Sequence, residues 1–324
     1  MTKAIRIHQH GGPEVLVWED VEVGTPSAGQ VRLRQTAVGL NYIDIYQRDG
    51  LYPLGEMPVS LGMEAAGVIE ELGDGVTDFA VGDRVAYAMA LGAYTTERVM
   101  ATTRLVKVPD GIDDETAAAM MLQGMTARYL IKRSYPVKAG DTILVYAAAG
   151  GVGLILCQWA KHLGATVIGC VGSEEKAELA KANGCDHPIL YRDEDVAKRV
   201  REITDGKGVP VAYDSIGKAT FDASIDSLAP FGTLVSFGNA SGPVEPFNPG
   251  MLAAKGSLYF TRATLATHTA TRELLDECAN DLFDIVSKGH VKIAINQTYP
   301  LSETKQAHID LEARKTTGST VLMP

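Results

Sequence analysis

The first hundred residues run in short stretches where apolar and polar positions alternate. Gln30-Val31-Arg32-Leu33-Arg34 is one, and Gly67-Val68-Ile69-Glu70 and Asp83-Arg84-Val85-Ala86-Tyr87 follow it. A period of two puts one face of a strand on a core and the other in water. Gly73-Asp74-Gly75 and Val81-Gly82-Asp83 supply the turns between them, so this part predicts a compact, barrel-like β domain. The texture changes at Asp114. Residues 116–133 are rich in Ala, Met and Leu and apolar on nearly every side, which predicts a buried helix ended by Pro136 and Gly140.

Beyond Gly140 the pattern alternates between strand and helix. Strands are expected at 142–147, 165–171, 188–191, 210–214, 232–238 and 256–261. Helices are expected at 152–163, 174–183, 194–204 and 219–228. Helical crossovers between strands imply a parallel, doubly wound sheet, hence an α/β fold. A helix at 271–288 carries Leu274, Leu275, Cys278, Leu282 and Ile285 as its apolar stripe. A second helix at 302–315 and a strand at 319–323 finish the chain.

Composition adds one question. Glycine makes up 33 of 324 residues, against a usual share of about 7%. No collagen-like period is present, and 46% hydrophobic and 22% charged residues describe an ordinary globular chain. A net charge of -10 counts against nucleic acid as a main partner. Cys157, Cys170, Cys185 and Cys278 form no CxxC pair, and a reduced, cytoplasmic protein is the expected setting. Met1-Thr2-Lys3-Ala4 opens no apolar leader, so no secretory signal is expected. Residues 142–160 carry no charge and are long enough to span a membrane, but Gly150-Gly151-Val152-Gly153 breaks the run. A strand, a tight turn and a buried helix explain it better, and no membrane partner is expected.

That turn has a chemical use. Ala148-Ala149-Gly150-Gly151-Val152-Gly153 follows a strand and opens a helix inside a βαβ unit. Glycine there lets the main chain approach a diphosphate, which the helix N-terminus then faces with its N–H groups. The next strand ends Val171-Gly172-Ser173 without the acid that would bond a ribose 2′-OH. Gly172 leaves space, and Ser173 and Lys176 suit a 2′-phosphate instead, with Tyr191, one strand on, placed to face the adenine ribose, so NADPH is the expected cofactor. Glu174 and Glu175 stand close enough in sequence to compete.

The segment Gly140-Asp141, Leu144, Ala148 to Gly153, Gln158 and Lys161 resembles the signature of the quinone oxidoreductase and ζ-crystallin group of medium-chain dehydrogenases/reductases. Gly11-Gly12-Pro13-Glu14-Val15-Leu16, Asn41-Tyr42-Ile43-Asp44-Ile45-Tyr46, Gly50-Leu51-Tyr52-Pro53 and Gly62-Met63-Glu64-Ala65-Ala66-Gly67 are similar to further family segments. So are Val235-Ser236-Phe237-Gly238-Asn239 and 256–262. The resemblance, closest to bacterial NADPH:quinone reductases, implies a GroES-like catalytic domain at 1–124 with 262–324. It implies a Rossmann domain at 125–261 and a homodimer. It also implies cofactor contacts at Asn41, Asp44, Tyr46, Thr126, Ala149, Gly150, Gly151, Val152, Gly172, Ser173, Lys176, Tyr191, Ser215, Phe237, Gly238, Phe260 and Arg262. Zinc-dependent relatives carry Gly-His-Glu and an upstream Cys as metal ligands. This chain has Gly62-Met63-Glu64 and Asn41, a poor donor set for Zn2+, so no metal is expected.

The implied substrate is a small quinone, whose reduction needs placement and electrostatics more than a Lewis acid. Asn41, Tyr46 and Tyr52 are the candidate catalytic donors to a developing oxyanion. Asp44 is an acid near pH 7 only if its pKa is raised. The seven histidines show no metal spacing and read as ordinary surface or core positions. Reduction of activated alkenes or enals is the competing activity. A crystallin-like or AU-rich RNA-binding role is the competing class.

Overall fold

A computed structural model describes residues 2–324. The chain divides into two compact units. One holds residues up to Met125 with Thr269–Phe283 and Ile293–Pro324, and the other holds Thr126–His268 with Asp284–Lys292.

The first unit is built on a seven-stranded sheet. Its order is Ile295–Pro300, Ser319–Met323, Gln30–Leu40, Glu64–Leu72, Arg84–Ala88 and Val106–Lys107, with Glu97–Ala101 added beside Gln30–Leu40. The strand Gln30–Leu40 runs well past the expected 30–34. Val31, Leu33, Ala37, Val38 and Leu40 keep it in the core to its end. Ser319–Met323 lies antiparallel on it, with Thr320 opposite Leu40, so both ends of the chain make one sheet. A three-stranded sheet, Val17–Val21, Thr2–Ile7 and Val59–Ser60, packs into the same core through Ile5 and Ile7.

The second unit is the expected doubly wound sheet. Its six strands stand in the order His187–Leu190, Thr166–Val171, Thr142–Tyr146, Val209–Asp214, Leu228–Ser236 and Tyr259–Arg262, all parallel. The chain leaves Thr142–Tyr146 toward one side and returns on the other, which is the point where such sheets open a crevice. Leu144, Ile168, Ile189, Ala212 and Leu234 form its core with Phe221 and Ile225.

Two helices differ from expectation for visible reasons. Asp195 accepts from the Lys198 N–H at 3.1 Å and caps the helix, which therefore spans Val196–Ile203 rather than starting at 194. The helix expected at 116–133 is α-helical over Asp114–Tyr129 and then widens into a π-turn, Leu130–Ser134. There the Leu130 carbonyl accepts from the Tyr135 N–H at 3.1 Å and from the buried Tyr213 hydroxyl at 3.2 Å. Among the described residues, no helix is long and apolar enough to cross a membrane.

Candidate active site

In the second unit, the turn after Thr142–Tyr146 is tight. Ala147 takes a left-handed backbone (φ 51°), and its carbonyl accepts from the Gly150 N–H at 2.9 Å. A Cβ on Gly153 would stand 2.2 Å from that same carbonyl, so only glycine lets the helix start this close. The helix Gly151–His162 has no side-chain cap at Gly150. The amides of its first turn have no partner within the helix, and they lie beside Ala149, Gly150, Gly151 and Val152. This is a cradle of the shape a diphosphate needs.

The neighbouring strand end continues the site. The Ser173 hydroxyl caps Glu174–Ala182 by accepting from the Lys176 N–H at 3.4 Å, which leaves its own proton to donate. Gly172 faces Tyr191, whose hydroxyl would lie 3.1 Å from a Cβ there. Arg192, unremarked in the sequence, stacks over the Tyr191 ring at 6.0 Å. Further along the same edge, Asp214 accepts from Thr220 Oγ1 (2.7 Å), Ser224 Oγ (2.8 Å) and the N–H groups of Ile216 (2.7 Å) and Gly217 (3.1 Å). It thereby fixes the loop that holds Ser215, against which Gly238 packs too closely for any side chain. The Phe237 N–H donates to the Asp214 carbonyl at 2.8 Å. Phe260 packs edge-on to Phe247, and Arg262 donates to the Ala263 carbonyl at 3.0 Å. Ser236 Oγ is buried there without a partner. Thr126 is buried on Asp114–Tyr129, outside this row of strand ends.

In the first unit a short helix, Tyr42–Arg48, follows the strand Gln30–Leu40 directly, and the sequence reading did not place it. Asp44 turns back to accept from the Asn41 N–H at 2.8 Å, the reciprocal bond of a capping box. The Asn41 amide is held on both sides. Nδ2 donates to Glu64 Oε1 at 2.6 Å, and Oδ1 accepts from Gln123 Nε2 at 3.2 Å. Gln123 in turn accepts from Ser319 Oγ at 2.7 Å. Glu64 Oε2 accepts from the Leu122 N–H at 2.6 Å. A Cβ on Gly39 would sit 2.3 Å from Glu64 Oε1, so this glycine makes room for the carboxylate. Tyr46 is buried and meets the half-buried Tyr52 edge-on, ring centroids 5.2 Å apart.

A second line of bonds reaches Asp44 from the far end of the sequence. Arg48, 2% exposed, pairs with Glu312 at 2.7 Å and contacts His308 Nδ1 at 3.0 Å. Arginine only donates, so Nδ1 accepts and the His308 proton sits on Nε2. Nε2–H donates to Tyr94 Oη at 3.1 Å, and the Tyr94 hydroxyl donates to Asp44 Oδ2 at 2.8 Å. Burial pushes the Asp44 carboxyl up to about 7, against the bonds from Asn41 and Tyr94. Burial likewise pushes Glu64 up to about 8, against the bonds from Asn41 and Leu122 and with the help of nearby Asp44. Burial, helped by Arg48, holds His308 down at about 3, so it is neutral.

The description "Alcohol dehydrogenase GroES-like domain" matches residues 27–137, and "Zinc-binding dehydrogenase" matches residues 151–280. A quinone oxidoreductase of Pseudomonas aeruginosa is 53% identical over the full length of both chains. A 2-haloacrylate reductase of Burkholderia is 49% identical over 100% of this chain and 99% of its own. The solved structure of Escherichia coli quinone oxidoreductase complexed with NADPH is 45% identical, covers 100% of both chains and superposes with a TM-score of 0.98.

The chain belongs to the quinone oxidoreductase family of medium-chain dehydrogenases/reductases.

Its place in that family makes the zinc in one matched description a question for the donors present. Glu64 has both oxygens engaged, the Asn41 amide is bonded at both atoms, and Met63 Sδ accepts from Gln47 Nε2 at 3.3 Å. Neutral amide and thioether donors beside one carboxyl do not fit Zn2+. All four cysteines are buried and free. Among the described residues, no cluster of three His, Cys, Asp or Glu is arranged to hold a metal. The nucleotide site fits a dinucleotide: the Gly153 cradle would be filled by a single Cβ, and Ser236 offers a buried hydroxyl without a partner. Reading the sequence missed Tyr94, His308, Arg48 and Gln123. Only the Asn41-x-x-Asp44 spacing, a capping pattern, signalled anything there.

Proposed function

We propose that this protein reduces quinones with NADPH, without a metal. The observation that carries the reading is the match of the whole chain to a quinone oxidoreductase solved with NADPH, at a TM-score of 0.98. Ala149, Gly150, Gly151 and Val152 would cradle the diphosphate, Gly172, Ser173 and Lys176 the 2′-phosphate, and Tyr191 would face the adenine ribose. Ser215, Phe237, Gly238, Phe260, Arg262, Thr126, Asn41, Asp44 and Tyr46 are the further cofactor contacts of this reading. Bound NADPH supplies the hydride. Asn41, its amide fixed by Glu64 and Gln123, keeps one N–H to offer a ligand. Tyr46 and Tyr52 place hydroxyls that stabilise charge on a quinone oxygen. NADPH oxidation against a quinone size series, with NADH in parallel, tests the reading. No oxidation with any quinone overturns it.

Reduction of an activated alkene is the second reading, favoured by the 2-haloacrylate reductase among the full-length relatives. The same assay with haloacrylates and enals separates the two.

The finer reading of setting is a cytoplasmic homodimer. Four free, buried cysteines suit a reducing compartment. Tyr259 and Phe231 are exposed on the outermost strand and its neighbour, where a second copy can extend the sheet. Tyr259→Lys should give monomers in sedimentation.

A further inference from the structure

The file of bonds that ends at Asp44 has a fixed direction. Arg48 donates to His308, His308 to Tyr94, and Tyr94 to Asp44 Oδ2, which also accepts from Asn41. Oδ2 is therefore committed as an acceptor. A proton on this carboxyl belongs on Oδ1, which is buried and has no partner. One helical turn on, on the same face, Gln47 Oε1 is buried and unpartnered as well. Both atoms are left open to a polar partner, since buried polar groups are otherwise satisfied. Glu64, the other buried carboxyl, has no comparable opening, because both its oxygens accept bonds.

We propose that Asp44 is the acid of the reduction, giving the proton on Oδ1 to the quinone oxygen, directly or through one water, while Arg48, His308 and Tyr94 are positioning residues that keep it there. The inference rests on the quinone reading above. In the step, two electrons and one hydrogen reach the quinone as the hydride that NADPH supplies. The Asp44 Oδ1–H bond breaks, an O–H bond forms on the quinone oxygen, and the electron pair stays on Asp44 as carboxylate. The product is the hydroquinone, and solvent returns the proton to Asp44. The negative charge left on Asp44 is opposite in sign to the charge the cofactor gains on losing hydride.

The surroundings suit the role. Asp44 bonds Asn41 on its own segment and Tyr94 from the segment beside it, and interacts with Glu64 of Glu64–Leu72; behind Tyr94 stand His308 and Glu312 from Thr304–Glu312, with Arg48 between them. His308 is neutral, and Arg48 is already paired with Glu312. Among the described residues no cation bonds the carboxylate, and burial raises Asp44 to about 7.

The test reads the proton itself, by infrared titration of the cofactor-free protein. Two protonated-carboxyl absorptions should titrate near neutral pH; the one with its midpoint near 7 should vanish in Asp44→Asn and survive Glu64→Gln, which removes the one near 8. Tyr94→Phe removes a bond that favours the ionised form and should move the Asp44 midpoint upward by about one pH unit. In turnover at pH 7 with saturating NADPH, Asp44→Asn should lower kcat by about a hundredfold. Both absorptions unchanged in Asp44→Asn overturn the proposal, as does an Asp44 midpoint unmoved in Tyr94→Phe or quinone turnover retained in Asp44→Asn. Failure of the wild type to reduce any quinone would instead remove the quinone reading, while the infrared titration would still locate the proton.

Discussion

The two chemical regions of this protein are built on opposite plans. The proposed nucleotide cradle is written in consecutive residues, Ala147 to Gly153, and would work through main-chain groups that the turn exposes. The buried carboxyl region is assembled from Asn41, Asp44, Glu64, Tyr94 and Gln123 together with His308 and Ser319, and works through side chains. A main-chain site depends on the absence of atoms, so it breaks when a methyl is added. A side-chain network depends on every partner being present, so it breaks when one is removed and another is left buried and unsatisfied.

The sharpest way to break that contrast is Gly153→Ala. The new methyl meets the Ala147 carbonyl at 2.2 Å and main-chain atoms of Ala148 at 2.8 Å. Neither neighbour is a flexible side-chain end, so the turn itself must shift, at about 1–3 kcal/mol. NADPH affinity, measured by fluorescence titration, should fall by about a hundredfold. An unchanged affinity would mean that the dinucleotide does not use this turn.

Lys176→Glu probes the same region through charge. Reversing it should weaken NADPH by about tenfold more than NADH, because only NADPH carries the 2′-phosphate. Equal losses for both cofactors would remove Lys176 from that role.

The contrast also explains what the sequence made legible. Gly150 to Gly153, the six strands and the helix at 151–162 are local patterns, and the structure repeats them with small shifts at the ends. The carboxyl region has no period to read. Tyr94 and His308 are 214 positions apart, and only the folded sheet brings them together. His308 fits a core position, as its sequence context allowed. What no local pattern showed is that its neutral ring is a link between Arg48 and Tyr94. For Asp44, the sequence posed the condition of a raised pKa, and burial meets it. The helix Tyr42–Arg48 was hidden because it is only seven residues long and follows a strand without a turn sequence.

Tyr46→Phe and Tyr52→Phe separate donor from wall. The two rings already pack on one another, so the phenylalanine keeps the contact and loses only the hydroxyl. Turnover with quinone should fall by about fivefold in each, the scale of one neutral hydrogen bond, and by more than NADPH affinity does. If both variants turn over normally, the rings serve only as packing.

The smallest effect is on stability, and here the two signs within one network differ. Asp44 and Glu64 have folded values of about 7 and about 8, raised from 3.8 and 4.5. The stability this gives is fully present below about pH 4 and is lost as pH rises through 7 to 8. His308 is depressed from 6.5 to about 3, so its contribution is present above pH 6.5 and is lost as pH falls toward 3. Relative to the wild type, Asp44→Asn should therefore gain in Tm as pH rises from 5 to 9, while His308→Gln should gain as pH falls from 7 to 5. Each trend should amount to a shift on the order of 2–4 °C across its window. Curves that run parallel to the wild type for Asp44→Asn would mean that its carboxyl is ionised across the range. That would separate the buried network from any proton chemistry while leaving the nucleotide cradle untouched.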